Sequence, residues 1–393
     1  MTVMKNIRKM KVVFISTFAL DANVSLIKEL KEQCDIYFIT EALHKVYNYI
    51  DKDKLSKTFS TGDEVDEMKR FGDLIPLHKT YVVKGCRQMQ ILKKLSNSYK
   101  IHSLIKKINP DVILSDNTAL TYLFSQICYR KKTLLIVHDP FLHSGEQFLV
   151  ERLLRKFFFS IISHKILLNE SQRSEFIRVY KHDETKLYSS FLSIYEYLTC
   201  FQTQKNDTDS QCFNVLFFGR ISPYKGIKYL LDAFINIANK EGCGNIKLTI
   251  AGSGNFDFDT TPYEHNDKIC ILNKYIESYE LADLILSSSV VICPYVDATQ
   301  SGVVMSAFAF KKPVIATNVG GLPEMVKDNE TGLIIEPKSV SEIENNILKL
   351  YNDPDLLQSM QKNIEKKYFE GERSWKQSAT LFMDALSDII NHN

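Results

Sequence analysis

The sequence predicts an α/β protein made of two doubly wound domains, each a parallel sheet wrapped by helices. Three observations predict it. Short, continuous apolar runs recur along the chain in place of alternating ones, as in strands covered on both faces. Helical segments separate these runs, so strand and helix alternate as in repeated β-α units. A polar segment near the middle then interrupts the pattern, which restarts beyond it. At about 150 residues per domain, 393 residues allow two or three domains.

In the first half, strands are expected at 12–16, 35–39, 111–114 and 133–137, with helices at 24–33 and 98–108. The segment 201–211, FQTQKNDTDSQ, is almost free of large apolar residues and reads as a linker. Strands follow at 213–218, 246–250, 269–272, 290–293 and 313–317, with a helix at 225–240. The tail 374–390 has helical spacing through Trp375, Ala379, Phe382, Leu386 and Ile389. The expected division is therefore 1–200, a linker at 201–212, a second domain at 213–372 and a closing helix at 373–393.

Hydrophobic residues make up 45% and charged residues 24%. Those proportions exclude a disordered chain, a collagen-like fibre and a small disulfide scaffold. No run of about 18 apolar residues suggests a membrane span. The apolar stretch 12–20 ends at Asp21 without a small-residue cleavage site, so it reads as a strand and not a signal peptide. The eight cysteines form no C-x-x-C pair, which points to reduced thiols and a cytoplasmic setting. Neither a P-loop nor a G-x-G-x-x-G after the first strand occurs, which argues against ATP hydrolysis and NAD binding.

The net charge of +2 conceals an asymmetry. Residues 1–200 carry 31 Lys and Arg against 22 Asp and Glu, a balance of +9. Residues 201–393 carry 18 against 25, a balance of −7. No acid lies between Asp73 and Asp111, an interval holding Lys79, Lys84, Arg87, Lys93, Lys94, Lys100, Lys106 and Lys107. Such a stretch suits an anionic membrane surface as well as a solvated helix face. A second basic stretch, 152–162, reads as core from Phe157 to Ile162. A nucleic-acid platform would interleave aromatic and basic residues, and no such pattern occurs.

Two blocks carry chemistry. In 217–234, FFGRISPYKGIKYLLDAF, a strand ends at Gly219, a loop carries Arg220 and Lys225, and a helix begins near Gly226. Two cations beyond a strand's carboxyl end, beside a helix N-terminus, form an anion site. In 293–324, CPYVDATQSGVVMSAFAFKKPVIATNVGGLPE, a polar loop precedes a helix, and Gly320-Gly321 lets backbone approach a ligand closely.

In order and spacing, these blocks and the segment 331–337, TGLIIEP, resemble the nucleotide-sugar half of retaining glycosyltransferases of the GT-B fold, family four (glycosyl transferases group 1). The likeness spans about 213–340. The first half is similar mainly through Val137-His138-Asp139-Pro140, and 138–146 resembles the matching loop of polysaccharide-assembly members.

The resemblance implies two Rossmann-like domains facing a cleft. The first would bind the acceptor, the second a nucleoside-diphosphate sugar, and the closing helix would cross back to the first domain. It implies catalytic roles for His138, Arg220 and Lys225, the two cations holding the donor diphosphate. Gly219, Gln300, Ser301, Gly302 and Val303 would line sugar and phosphate. Glu324 either reaches the nucleotide or is a helix N-terminal acid. The family's two glutamates are missing: the second position falls on Ser306, and Asp297 or Thr299 stands in for the first. The loop 16–23 has no Gly where the family carries a Gly-rich one, leaving Asp21 and Asn23 as acceptor-side candidates.

The implied activity is retaining hexosyl transfer to a glycan or polyprenyl-diphosphate-linked acceptor in surface polysaccharide synthesis. It would take place in the cytoplasm or peripherally at the inner membrane face. No metal or other cofactor is expected; Asp257-Phe258-Asp259 reads as exposed loop acids. Two rivals stay open: a nucleotide-sugar epimerase of the same fold, and a non-catalytic subunit of a transferase complex.

Overall fold

The computed structural model describes residues 8–17, 20–43, 50–86, 90–138, 140–141, 149–203, 212–298 and 301–392. The chain divides into two compact units. Residues 1–192 and 375–393 form the first, and residues 193–374 form the second.

The first unit holds an eight-stranded sheet: β1 (Lys11–Ser16), β2 (Asp35–Ala42), β3 (Phe59–Thr61), β4 (Thr80–Lys84), β5 (Val112–Ser115), β6 (Thr133–Val137), β7 (His164–Leu167) and β8 (Leu187–Ser189). Its order is β3-β4-β2-β1-β5-β6-β7-β8. Only β3 and β4 pair antiparallel. Strands β5, β6 and β7 are buried at every position; β5 and β6 are accordingly almost wholly apolar runs, whereas β7 opens with the buried His164 and Lys165. On one face Ile101, Ile105 and Ile108 of the helix Ile91–Ile108 pack with Val13, Ile15, Ile39 and Ile113. Elsewhere in this unit Phe158, Phe159 and Ile162 pack with Leu135, Val137 and Leu167. Phe157, expected in the core with them, is exposed instead.

The helix Trp375–Asn391 touches the helix Leu20–Gln33 and the strands β5 and β6. It is tied in by Tyr188 Oη donating to Asp388 Oδ2 at 2.6 Å and by the hydroxyls of Ser190 and Ser378, 2.9 Å apart. Its buried Phe382, Leu386 and Ile389 explain the helical spacing of the tail.

The second unit holds a six-stranded sheet, parallel throughout: β9 (Phe213–Phe218), β10 (Ile246–Gly252), β11 (Ile269–Asn273), β12 (Val290–Cys293), β13 (Val314–Thr317) and β14 (Gly332–Ile335). The order is β11-β10-β9-β12-β13-β14. The helix Ile227–Ala238 buries Leu230, Leu231, Phe234 and Ile237 and packs on the helix Val340–Asn352.

Three expectations need correction. The boundary lies at 192/193 and not at the linker, because the segment after Leu192 is bonded into the second unit. Tyr195 N–H donates to Met305 O at 3.2 Å, and Thr203 N–H donates to Asp283 Oδ1 at 3.2 Å. Residues 204–211 of the expected linker lie outside the described residues. The helix expected from Lys225 starts at Ile227, because Gly226 has a left-handed φ of 66° after a 3-10 turn, Pro223–Lys225. A Cβ at Gly226 would lie 1.9 Å from Pro294 O, so glycine is required there. The helix expected at 98–108 starts seven residues earlier, at Ile91.

Candidate functional site

In the second unit, chemistry gathers where β9 and β12 end. Gly219 follows β9 with φ 123°. A Cβ at the neighbouring Gly252 would lie 1.8 Å from Gly219 O, so β9 and β10 approach here as only glycine allows. Arg220 is exposed. Lys225 is partly buried, its Nζ 3.7 Å from the ring centroid of Tyr295 and 5.0 Å from that of Tyr224. Among the described residues no carboxylate pairs with it. Its pKa is lowered to about 8, chiefly by burial, with Cys293 opposing the shift and Arg220's charge adding to it.

Tyr295 is fully buried and held from several sides. Its Oη and Ser301 Oγ are 3.2 Å apart, and its carbonyl accepts from Thr317 Oγ1 at 2.7 Å. The loop bearing Lys225 is fastened to it by Val296 N–H donating to Tyr224 O at 2.7 Å. Lys225's ammonium thus rests on aromatic faces beside Arg220, with no carboxylate of the described residues paired to it.

Ser301 is buried at the N-cap of the helix Gly302–Ala309 and makes no side-chain cap, so that helix's first N–H groups keep their capacity for an anion. A Cβ at Gly302 would lie 3.0 Å from the Tyr195 ring, so a larger residue would have to push that ring aside. Val303 stands beside Gly219. Asp297 is exposed and Ser306 is buried. Thr299 and Gln300 lie outside the described residues. Glu324 is exposed on the short helix Leu322–Met325, and no hydrogen bond or ion pair among the described residues joins it to Lys225.

In the first unit, polar groups converge where β1, β5 and β6 end. His138 follows β6, and its Nε2 bonds Asp116 Oδ1. The Asp116 carboxylate is 1% exposed and the His138 ring 27%. Asp116 Oδ2 accepts from Ser16 Oγ at 2.9 Å and from Asn23 Nδ2 at 2.9 Å. Asn23 also donates to Ser16 Oγ at 2.8 Å, and Tyr122 Oη donates to Ser16 O at 2.8 Å. With Asp116 on Nε2, the neutral ring carries its proton there and its lone pair on Nδ1. Burial raises the Asp21 carboxyl to about 6, against its backbone bond to Ala22 and the charge of His138. Burial likewise raises Glu41, which accepts from Thr17 Oγ1 at 2.9 Å.

So Gly219, Arg220, Lys225, Ser301, Gly302 and Val303 fall in one region, and His138 and Asn23 in another. Sequence reasoning missed Asp116 and Tyr295. An acid one residue past a strand end was the signal for Asp116. Among the described residues no group of three His, Cys, Asp or Glu side chains could hold a metal ion. Asp259 is occupied by the N–H and hydroxyl of Thr261.

Residues 212–353 match the family of glycosyl transferases group 1. Over that stretch, about a third of the chain, the second unit is a domain similar to group 1 glycosyltransferases. This domain brings the Arg220 and Lys225 loop, the helix Gly302–Ala309 and the Gly320-Gly321 turn within one family's pattern. A glycosyltransferase of Methanocaldococcus jannaschii is 31% identical over 165 residues, 41% of each chain. The lipopolysaccharide 1,2-N-acetylglucosaminetransferase of Salmonella typhimurium is 28% identical over 242 residues, 55% of this chain and 61% of that one. The chain thus spans less than two thirds of the length of these relatives. The solved structure of Anabaena HepE with UDP-glucose superposes with a TM-score of 0.65 over 98% of this chain and 100% of that one, at 16% identity. That likeness is one of fold, and the fold is GT-B. Among the described residues no helix is long and apolar enough to cross a membrane.

Proposed function

We propose that the chain is a retaining glycosyltransferase that moves a hexosyl group from a nucleoside-diphosphate sugar to a glycan or lipid-linked glycan in surface polysaccharide synthesis. The observation that carries this reading is Lys225, a partly buried ammonium with no carboxylate partner among the described residues, beside Arg220 at the end of β9. A diphosphate supplies the missing anion. As the glycosidic bond breaks, the diphosphate gains charge, and fixed cations stabilise it more than they stabilise the ground state. The N-terminus of the helix Gly302–Ala309 adds backbone donors.

In this reading Arg220 and Lys225 hold the diphosphate, and Gly219, Ser301, Gly302 and Val303 line the donor. His138 works at the reacting sugar. The departing diphosphate takes the acceptor's proton, and attack occurs on the face that it leaves. Asp297, Thr299, Gln300 and Glu324 are further donor-binding candidates. The relatives support the substrate class: one is named for transferring N-acetylglucosamine to lipopolysaccharide, and one structure contains UDP-glucose. The setting we propose is cytoplasmic and peripheral to an anionic membrane, with no metal.

The test is a thermal-shift panel of UDP-, GDP-, ADP- and dTDP-sugars, with Lys225→Ala beside the wild type. A ligand at about 100 times its Kd adds roughly 2.7 kcal/mol of stability. A shift with one nucleotide that disappears in Lys225→Ala identifies the donor base. No shift with any of them favours a non-catalytic subunit. Turnover of a bound sugar nucleotide without acceptor would favour an epimerase.

A further inference from the structure

The helix Ile91–Ile108 has an unusual outer face. Asn97, Ser98, Ile101, Ile105 and Ile108 are its buried residues. At 100° per residue, the direction opposite to them falls between Leu92 and the partly buried Ser103, and the large side chains there are Leu92 and Tyr99. These two are 83% and 67% exposed. A helix on a water-facing surface puts its charges at that meridian and its apolar residues toward the core. Here the order is reversed: Lys106 lies on one side of the apolar pair, and Lys107, Lys100 and Lys93 on the other, all four exposed. The helix contains five lysines and no acid.

The lysines of this part of the chain divide sharply. Lys79 is paired with Asp35 at 2.6 Å, and Lys84 Nζ donates to Leu55 O at 2.7 Å. Lys94 is partly buried and acts on Glu41. Arg87 lies outside the described residues. Lys93, Lys100, Lys106 and Lys107 are left pointing outward around an apolar centre.

We propose that this face docks on an anionic lipid bilayer, with Leu92 and Tyr99 entering the boundary between headgroups and acyl chains and the four lysines meeting lipid phosphates. Charge complementarity selects this occupant: a lysine collar around an apolar centre matches a surface that is anionic outside and apolar beneath. A second copy of the chain would bring the same four lysines against these, like charge on like. The proposal deepens the membrane part of the proposed function and stands apart from its donor chemistry.

The experiment is co-sedimentation of the full chain with phosphatidylcholine vesicles, with and without phosphatidylglycerol, at low and high salt. Binding is expected only with phosphatidylglycerol and should weaken with salt. Replacing Lys93, Lys100, Lys106 and Lys107 by Gln should cost about fivefold per residue. Leu92→Ser with Tyr99→Ser should cost on the order of tenfold at either salt. All six side chains are exposed, so both variants should melt with the wild type. Absence of vesicle binding, or binding unchanged in both variants, overturns the proposal. So does self-association without vesicles that Leu92→Ser and Tyr99→Ser abolish. Because all six residues lie in the first unit, the nucleotide shift of the second unit should persist in both variants. Losing that shift in wild type while vesicle binding stays would sink the donor reading alone.

Discussion

The two sheets share an architecture, yet their strand ends carry opposite charge. In the second unit the loop after β9 presents Arg220 and Lys225. In the first unit the strand ends gather Asp116, Glu41 and Asp21, all shielded from water to some degree. The charge of each half runs the other way, +9 for residues 1–200 and −7 for 201–393. The lesson is that net charge describes helix surfaces, whereas a site is set by the few groups at the carboxyl edge of a sheet. A search for the proposed diphosphate site by net charge would point to the other half.

Four substitutions or conditions would break or sharpen this contrast. The largest effect is expected from Lys225→Ala, which removes a cation that has no carboxylate partner among the described residues. Transfer should fall about 10²–10³-fold, the usual result of deleting one preorganised charge-stabilising group. An unchanged rate would end the diphosphate assignment.

Next comes Asp116→Asn, which keeps shape but loses the carboxylate beneath His138. Hydrogen bonds to charged groups are worth about 1.5–3 kcal/mol, so activity should drop roughly tenfold to a hundredfold. The nitrogen spectrum of His138 should lose its single-tautomer signature, while the nucleotide shift stays. An unaltered spectrum would mean that Asp116 does not orient the ring.

The third is donor affinity against pH. Lys225 binds an anion only as ammonium, and its pKa is about 8. Affinity should therefore hold below that value and fall as pH rises through it, approaching tenfold per unit. In Lys225→Arg the fall should vanish, because guanidinium stays charged. Titration calorimetry across this range decides it.

The smallest concerns Asp21, whose carboxyl is raised to about 6 by burial. Its folded pKa exceeds its unfolded one, so it favours the fold at low pH, and this contribution is lost as pH rises through about 6. Asp21→Asn should gain on the order of 1 kcal/mol relative to wild type on going from below pH 4 to above pH 6. Paired melting curves at those two ends would show no such difference if Asp21 were solvated.

The strands were the most legible part of the sequence. The run 213–218 was expected as a strand and is one, because a strand buried on both faces needs apolar residues at consecutive positions. The start of the helix Ile91–Ile108 was not legible. Gln90 provides no side-chain cap, and the first turn's Ile91 and Leu92 face outward, so the helical period is invisible there. The boundary at Leu192 was hidden for another reason. Tyr195, Tyr197 and Leu198 look like core of whichever unit they join, and long-range bonds such as those from Tyr195 to Met305 and from Thr203 to Asp283 decide. The diphosphate candidates could be read because they sit within one loop. Asp116 could not, because its meaning depends on β1, β5 and β6 converging from positions about a hundred residues apart in two of its three bonds. Tyr295 stood in a block already singled out, but its role rests on a cation 70 positions earlier.

The helix Trp375–Asn391 gives the chain an order of assembly. The second unit is one uninterrupted stretch, whereas the first is split around it. On a ribosome, the whole nucleotide-binding candidate emerges before the last structural piece of the unit that precedes it. Until that piece arrives, part of the surface that it covers on β5, β6 and the helix Leu20–Gln33 stays open to water and to chaperones. The second unit can therefore be excised as a continuous fragment. A cut at Leu192 would yield a first unit lacking a helix whose Phe382, Leu386 and Ile389 belong to its core.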